Sequence, residues 1–302
     1  MIMPSRLSLK GKILCFLLVL IALQVNPAVS RGEEFVIGVL PEMNVFKQME
    51  RFRPLAEYLS DKIGVDVKLT MISRYGNIIE SLKEKRVNAA FLGSFTAALA
   101  ISQLHVEPLA RPVNMDGTST YFGYLFSRND SGIKNVSDMK GKVMVFVEKA
   151  TTAGYLFPLA YLKSKGVADH QTFFKDFYFS GSHDAAIIAV LEGHADVGAA
   201  KNTIYERSSE TDSRIYSDLY VIAKSPRVPS NGLCVVADTD PQLKKKLKET
   251  LLDLHNYPQG KVVLSKFGAQ KFVQTEKDDY LPVMEMAHEA GIELSEYYYK
   301  NQ

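Results

Sequence analysis

Apolar and polar residues follow two periods along this chain, and the switches between them mark its elements. Phe35-Val36-Ile37-Gly38-Val39 is a short apolar run that reads as a buried strand. From Phe46 to Ile63, Phe46, Met49, Phe52, Leu55, Leu59 and Ile63 recur every three or four residues, which predicts a helix. Val65 to Met71 alternates like a strand, Ile78 to Lys85 reads as a helix, and Val87 to Leu92 as a further strand. Gly93-Ser94 then opens a helix over Phe95 to Gln103. Such β-α-β-α-β-α order implies a parallel sheet flanked by helices, and sheets of this kind take ligands at the carboxyl ends of their strands.

The pattern then resets. Tyr121 to Ser127 reads as a strand, and Asn129 to Lys142 is rich in turn residues. Val143 to Val147 is a strand, and Tyr155 to Lys165 a helix closed by Gly166. Phe173 to Phe179, Val197-Gly198-Ala199, Tyr220 to Ala223 and Leu233 to Val236 read as strands, and Asp184 to Glu192 as a helix ended by Gly193. From Pro241 onward the chain reads as mainly helical, with Tyr297-Tyr298-Tyr299 as packing at an edge. The expected architecture is α/β, in two lobes. The first is built from residues 31–127 and 224–302. The second, residues 128–223, is inserted into it, and the strands near 121–127 and 220–236 cross between them as a hinge.

The first thirty residues look different. Arg6, Lys10 and Lys12 precede an apolar run of eleven residues, Ile13 to Leu23, and Ala28-Val29-Ser30 offers small residues for a signal peptidase. A cleavable signal peptide over 1–30 is the expectation, because a membrane span needs about 20 apolar residues. Its removal takes three basic residues and no acidic ones, so a net charge of +2 becomes −1. A near-neutral chain lacks the clustered basic surface that nucleic acid requires. An anion must therefore be recognised locally. Cys15 leaves with the leader, so Cys234, in an apolar strand, has no thiol partner and reads as a buried structural residue. The 272 residues that remain exceed a typical single domain, which agrees with two lobes.

The informative chemistry lies where strands give way to helices. Thr151-Thr152-Ala153-Gly154 places two hydroxyls and two small residues at a helix start, where free N–H groups and the helix dipole favour an anion. An ordinary N-cap by Thr151 or Thr152 would look the same. Ser94 stands at the corresponding turn of the first lobe and is by itself equally a cap. Ser180-Gly181-Ser182-His183-Asp184 is a third such turn. Asp184 there either caps its helix or lines a site, and His183 would respond to pH near neutrality. Tyr75 and Tyr121 begin a helix and a crossing strand.

Together these segments resemble the phosphate/phosphite/phosphonate-binding periplasmic proteins of ABC transporters. The marks are Gly38-Val39-Leu40-Pro41-Glu42, Phe52-Arg53-Pro54-Leu55-Ala56-Glu57-Tyr58-Leu59, Ala89 to Ser94, Gly154-Tyr155-Leu156-Phe157-Pro158, Gly181 to Ala185, and Lys224-Ser225-Pro226-Arg227-Val228-Pro229. The resemblance implies a two-lobed venus-flytrap fold, each lobe a mixed, mainly parallel sheet flanked by helices, with two crossing hinge strands. It implies an oxyanion held by Thr151, Thr152 and Ala153, with Tyr75, Ser94, Tyr121, His183 and Asp184 around it. Three departures stand out. The family's Ser-Thr-Ser-Gly is here Thr151-Thr152-Ala153-Gly154, and its Gly-Pro-Leu-Ser-Tyr is Gly93-Ser94-Phe95-Thr96-Ala97. Where aminoalkylphosphonate binders offer a carboxylate, this chain has Ala200-Lys201-Asn202. A lysine facing the cleft would disfavour a cationic tail and point to an inorganic or simple alkyl ligand; Lys201 facing solvent would say nothing.

The function expected is capture of a small phosphorus oxyanion for an ABC permease, by a monomer without cofactor or metal. A receptor for a membrane sensor kinase, or one for a sulfonate, is the alternative. An enzyme is not expected. Ser182, His183 and Asp184 are adjacent and cannot form a triad, there is no Gly-x-Ser-x-Gly elbow, and His183 and His194 lack metal-ligand spacing.

Overall fold

The computed structural model describes residues 34–298. The leader, Cys15 and Tyr299 lie outside the described residues. The elements run β1 (Glu34–Val39), α1 (Val45–Ile63), β2 (Asp66–Met71), α2 (Asn77–Lys83), β3 (Ala89–Leu92), α3 (Ser94–Leu104), β4 (Glu107–Asn114), β5 (Thr120–Tyr121) and β6 (Gly123–Arg128). There follow β7 (Val143–Phe146), α4 (Phe157–Ser164), α5 (His170–Phe173), β8 (Asp176–Phe179), α6 (His183–Leu191), β9 (Val197–Lys201), α7 (Asn202–Ser209), α8 (Arg214–Asp218) and β10 (Leu219–Lys224). The last are β11 (Val228–Pro229), β12 (Gly232–Val235), α9 (Pro241–Asp253), α10 (Pro258–Phe267), β13 (Ala269–Gln274) and α11 (Leu281–Glu289).

Two sheets carry the two lobes. The first has the order β13-β4-β12-β3-β1-β2, the second β10-β6-β9-β7-β8. Both are mixed, but parallel pairing is confined to β2-β1-β3 in one and β9-β7-β8 in the other. The remaining neighbours are antiparallel: β12 with β3 and β4 and β13 with β4 in the first sheet, and β6 with β9 and β10 in the second. The segment read as one strand at 121–127 is two pieces. Thr120–Tyr121 pairs with Val228–Pro229 in a short ladder between the lobes, and Gly123–Arg128 lies wholly within the second sheet.

Besides the two-residue β11, two strands were not legible from pattern. β4 carries Pro108 and Pro112, which lack the N–H a ladder uses. It is tolerated because its register with β12 shifts between Leu233 and Cys234. β13 stands within the stretch read as helical, after Gly268 ends α10 in the left-handed conformation.

The apolar stripe of α1 packs on the first sheet as its spacing predicts. Phe52, Leu55, Leu59 and Ile63 are buried with Phe91, Phe267 and Phe272. Phe46 is the exception, at 84% exposed. The first turn of α1 rests on the loop after β1 (Gln48 Nε2 donates to Leu40 O, 3.2 Å) rather than on the sheet. A second apolar cluster runs from α2 and α3 of the first lobe through β6, β7 and α4 of the second, and on to α11. Cys234 is buried in that cluster, its thiol pushed up to about 12 by burial, as suits an inert core residue.

Candidate ligand-binding site

The strand-to-helix turns of both lobes meet between the sheets. After β1 the chain turns through Leu40-Pro41-Glu42-Met43 into Asn44, whose Oδ1 caps α1 by accepting from the N–H groups of Phe46 and Lys47. This first-lobe loop is pinned to the start of α6: His183 N donates to Glu42 O (3.2 Å) and Asn44 N to Asp184 Oδ2 (3.0 Å).

Beside it lies a buried cluster of hydroxyls. Two helix starts, one from each lobe, converge there: Phe95 N, in the first turn of α3, donates to Thr152 Oγ1 at 2.9 Å. The Tyr121 hydroxyl lies beside Ser94 and Thr152. The Tyr75 hydroxyl is buried and has no partner among the described residues. Burial raises the pKa of both phenols, so each keeps its proton and can donate it.

Each hydroxyl has one proton, and its destination separates the roles. Ser94 Oγ spends its proton on Pro229 O (2.6 Å), and Thr151 Oγ1 on Glu148 O (2.6 Å). Thr152 accepts from Phe95, which leaves its own proton for the cleft. The helix does not begin at Tyr155 as its pattern suggests. A wide π turn over Thr152–Leu156 precedes α4, closed by Leu156 N on Thr151 O (3.0 Å). Its first-turn N–H groups therefore start at Thr152. The small pair after it has a packing reason: a Cβ on Gly154 would lie 2.4 Å from Val147, and Ala153 sits beneath Gly123.

The rest of the cleft is charged. Lys201, at the end of β9, is buried, and its Nζ lies 2.9 Å from Glu42 Oε1, 2.9 Å from Asn231 Oδ1 and 4.4 Å above the Tyr121 ring. The lysine thus points inward. Burial by itself would raise the Glu42 carboxyl, but Lys201, with His183 and Arg51, holds it down at about 2. His183 does not respond to pH near neutrality as its residue type suggested: burial moves it down to about 4, against the pull of Glu42, so it is neutral near pH 7. Its Nδ1 accepts from Lys201 N (3.2 Å), which leaves the proton on Nε2 as a donor. Its ring meets Tyr75 edge-on at 6.3 Å.

Tyr75, Ser94, Tyr121, Thr152, His183 and Lys201 are thereby gathered into one buried cluster. Thr151 and Ala153 shape the turn beneath. Asp184 is occupied as an acceptor from Asn44 N, Ala185 N and Ser182 Oγ. Asn202 holds the crossing segment: its Oδ1 accepts from Phe122 N, and its own N–H donates to Phe122 O, both at 3.0 Å. Glu42 and Asn231 are the residues that sequence reasoning passed over. Glu42 follows the carboxyl end of a parallel strand, which was a usable signal. Asn231 had none. Toward solvent the cleft continues past Arg51 and Arg207, one from each lobe, and burial with the facing Arg207 lowers Arg51 to about 10.

Residues 37–280 match the family model described as the phosphonate periplasmic substrate-binding protein of ABC transporters. The chain belongs to that family. It is 22% identical to the phosphonates-binding periplasmic protein of Escherichia coli, over 87% of this chain and 79% of that one. It is 24% identical to a probable ABC transporter phosphite-binding protein of Prochlorococcus marinus, over 86% and 91%. Among solved structures, a binding-protein component of an ABC phosphonate transporter from Pseudomonas aeruginosa superposes with a TM-score of 0.79 at 25% identity, covering 86% of this chain and 87% of that one. The Prochlorococcus marinus protein in complex with methylphosphonate superposes at 0.77 and 21% identity, over 86% and 98%. These neighbours share the two-lobed fold. Among the described residues no helix is long and apolar enough to cross a membrane.

Proposed function

We propose that this chain is a periplasmic receptor, exported by a cleavable leader over residues 1–30, that captures a small phosphorus oxyanion and delivers it to an ABC importer. Phosphonate, phosphite and phosphate form the ligand class. Family membership supports the transport role. The observation that carries the ligand is the buried set of neutral donors at the meeting of two helix starts: Thr152, Tyr121, the Tyr75 hydroxyl, which has no partner among the described residues, and the Nε2–H of His183. A dianion placed among them gains charge-assisted hydrogen bonds and two helix dipoles. It also supplies the partner that Tyr75 lacks. Ser94 and Thr151 support this set through the hinge ladder and the π turn. Because the donors come from both lobes, the ligand favours the closed form, which is hinge closure in mechanism.

Calorimetry of the purified protein against phosphate, phosphite, methylphosphonate, sulfate and small sulfonates tests this. At least one phosphorus oxyanion binds, and Thr152→Ala weakens it by about tenfold or more, since a hydrogen bond to a charged group is worth about 1.5–3 kcal/mol. Unchanged affinity in Thr152→Ala, or binding confined to sulfonates, would overturn the assignment.

A further inference from the structure

The Lys201 ammonium sits in a ready-made cation site. Its Nζ has a carboxylate oxygen at 2.9 Å, an amide oxygen at 2.9 Å and an aromatic face at 4.4 Å. An ammonium ion has three donors and one charge to place, and those three groups are what it seeks. None of them belongs to the second-lobe strand that delivers Lys201. Glu42 stands on the loop after β1, its own carbonyl bonded to His183 N. Asn231 follows the hinge strand β11 and lies beside Gly93. Tyr121 is fixed in the β5-β11 ladder. The chain segments that carry the cage are therefore fixed by contacts other than the lysine.

Its location gives the cage a role. Tyr121 faces two sets of neighbours at once: its hydroxyl lies beside Ser94 and Thr152, and its ring lies under Lys201. The cage thus adjoins the hydroxyl cluster, one tyrosine ring away. An anion seated in that cluster and carrying a short amine would put its ammonium where the lysine already is.

We infer that Lys201 is the specificity-determining residue of this cleft: its ammonium occupies a built cation cage and so excludes anions that carry an aminoalkyl tail, while leaving room for those that do not. The choice of ligands rests on the oxyanion reading above, but the cage itself does not. In this chain the carboxylate that could hold a ligand's amine is Glu42, and the protein neutralises it from within. Removing the lysine side chain leaves Glu42, Asn231 and Tyr121 facing a vacancy of ammonium size and charge.

The test uses Lys201→Ala, with Lys201→Met to fill the space without charge. In thermal melts, ethylammonium chloride raises the midpoint of Lys201→Ala relative to sodium chloride at equal ionic strength. It does not do so for the wild type or Lys201→Met, since only a vacant cage binds the cation. In calorimetry the wild type binds methylphosphonate about tenfold or more tightly than 2-aminoethylphosphonate, and Lys201→Ala reverses that order. A folded Lys201→Ala that ignores ethylammonium would overturn the inference. So would a wild type that takes both phosphonates equally, a comparison that stands even if Lys201→Ala does not fold. The ethylammonium arm contains no oxyanion. If it succeeds while neither phosphonate binds the wild type, the cage stands and the oxyanion reading falls.

Discussion

The two halves of the cleft solve opposite problems with neighbouring residues. On one side, Thr152, Tyr121 and Tyr75 are neutral donors, and Tyr75 has no partner among the described residues. On the other, Glu42 and Lys201 carry full charges that satisfy each other, together with Asn231. The neutral half is incomplete and the charged half is complete. A buried charge without a partner costs far more than a buried hydroxyl without one, which costs about 1–3 kcal/mol. The place to leave an opening for an anion is therefore among the hydroxyls. A protein of near-zero net charge can then bind a dianion without storing a buried cation for it.

Breaking the charged half should cost the most. Glu42→Ala strands the Lys201 ammonium and is expected to destabilise the fold by about 3–5 kcal/mol in urea denaturation. Glu42→Leu combined with Lys201→Met should recover most of that loss, because an apolar pair of similar volume is close to neutral. A double variant no more stable than Glu42→Ala would mean that the pair is not what the single change removes.

Acid acts more gently, on both sides of the cleft. His183 has its folded pKa lowered from 6.5 to about 4, so the unfolded chain binds the extra proton first. Its contribution is fully present above about pH 6.5 and drains away as pH falls toward 4. That amounts to about 2 kcal/mol between pH 7 and pH 5. Glu42, lowered from 4.5 to about 2, adds a further loss below pH 4.5. His183→Asn, which keeps an acceptor for Lys201 N–H, should flatten the slope between pH 7 and 5. An unchanged slope would place the titration elsewhere.

The neutral half should respond in affinity and hardly in stability. Tyr75→Phe removes a hydroxyl with no protein partner, so the melting midpoint should hold or rise slightly. Oxyanion affinity should fall about tenfold. A loss of stability with affinity intact would give Tyr75 a packing role only.

Local chemistry carried much of this molecule into view. The period of the apolar positions marked α1, the core strands β1, β3, β7 and β9, and the α/β class, because burial on one face imposes that spacing. Hydroxyls and small residues at strand-to-helix turns marked Ser94, Thr151, Thr152 and His183 as candidates, because a helix start needs such groups whether or not a ligand follows. The prolines of β4 concealed a strand whose bulged register only its neighbours could supply.

What the sequence by itself determined is therefore the inventory: which segments form elements, and which turns hold donors. Tertiary structure decided how each donor is used. Thr151 and Thr152 are adjacent and chemically identical, yet one gives its proton to Glu148 and the other keeps it for the cleft. Lys201 could have faced water, but pairs with a carboxylate 159 positions away. A hydroxyl's single proton and a lysine's single charge are assigned by whichever acceptor lies nearest in space, and distance along the chain does not encode that.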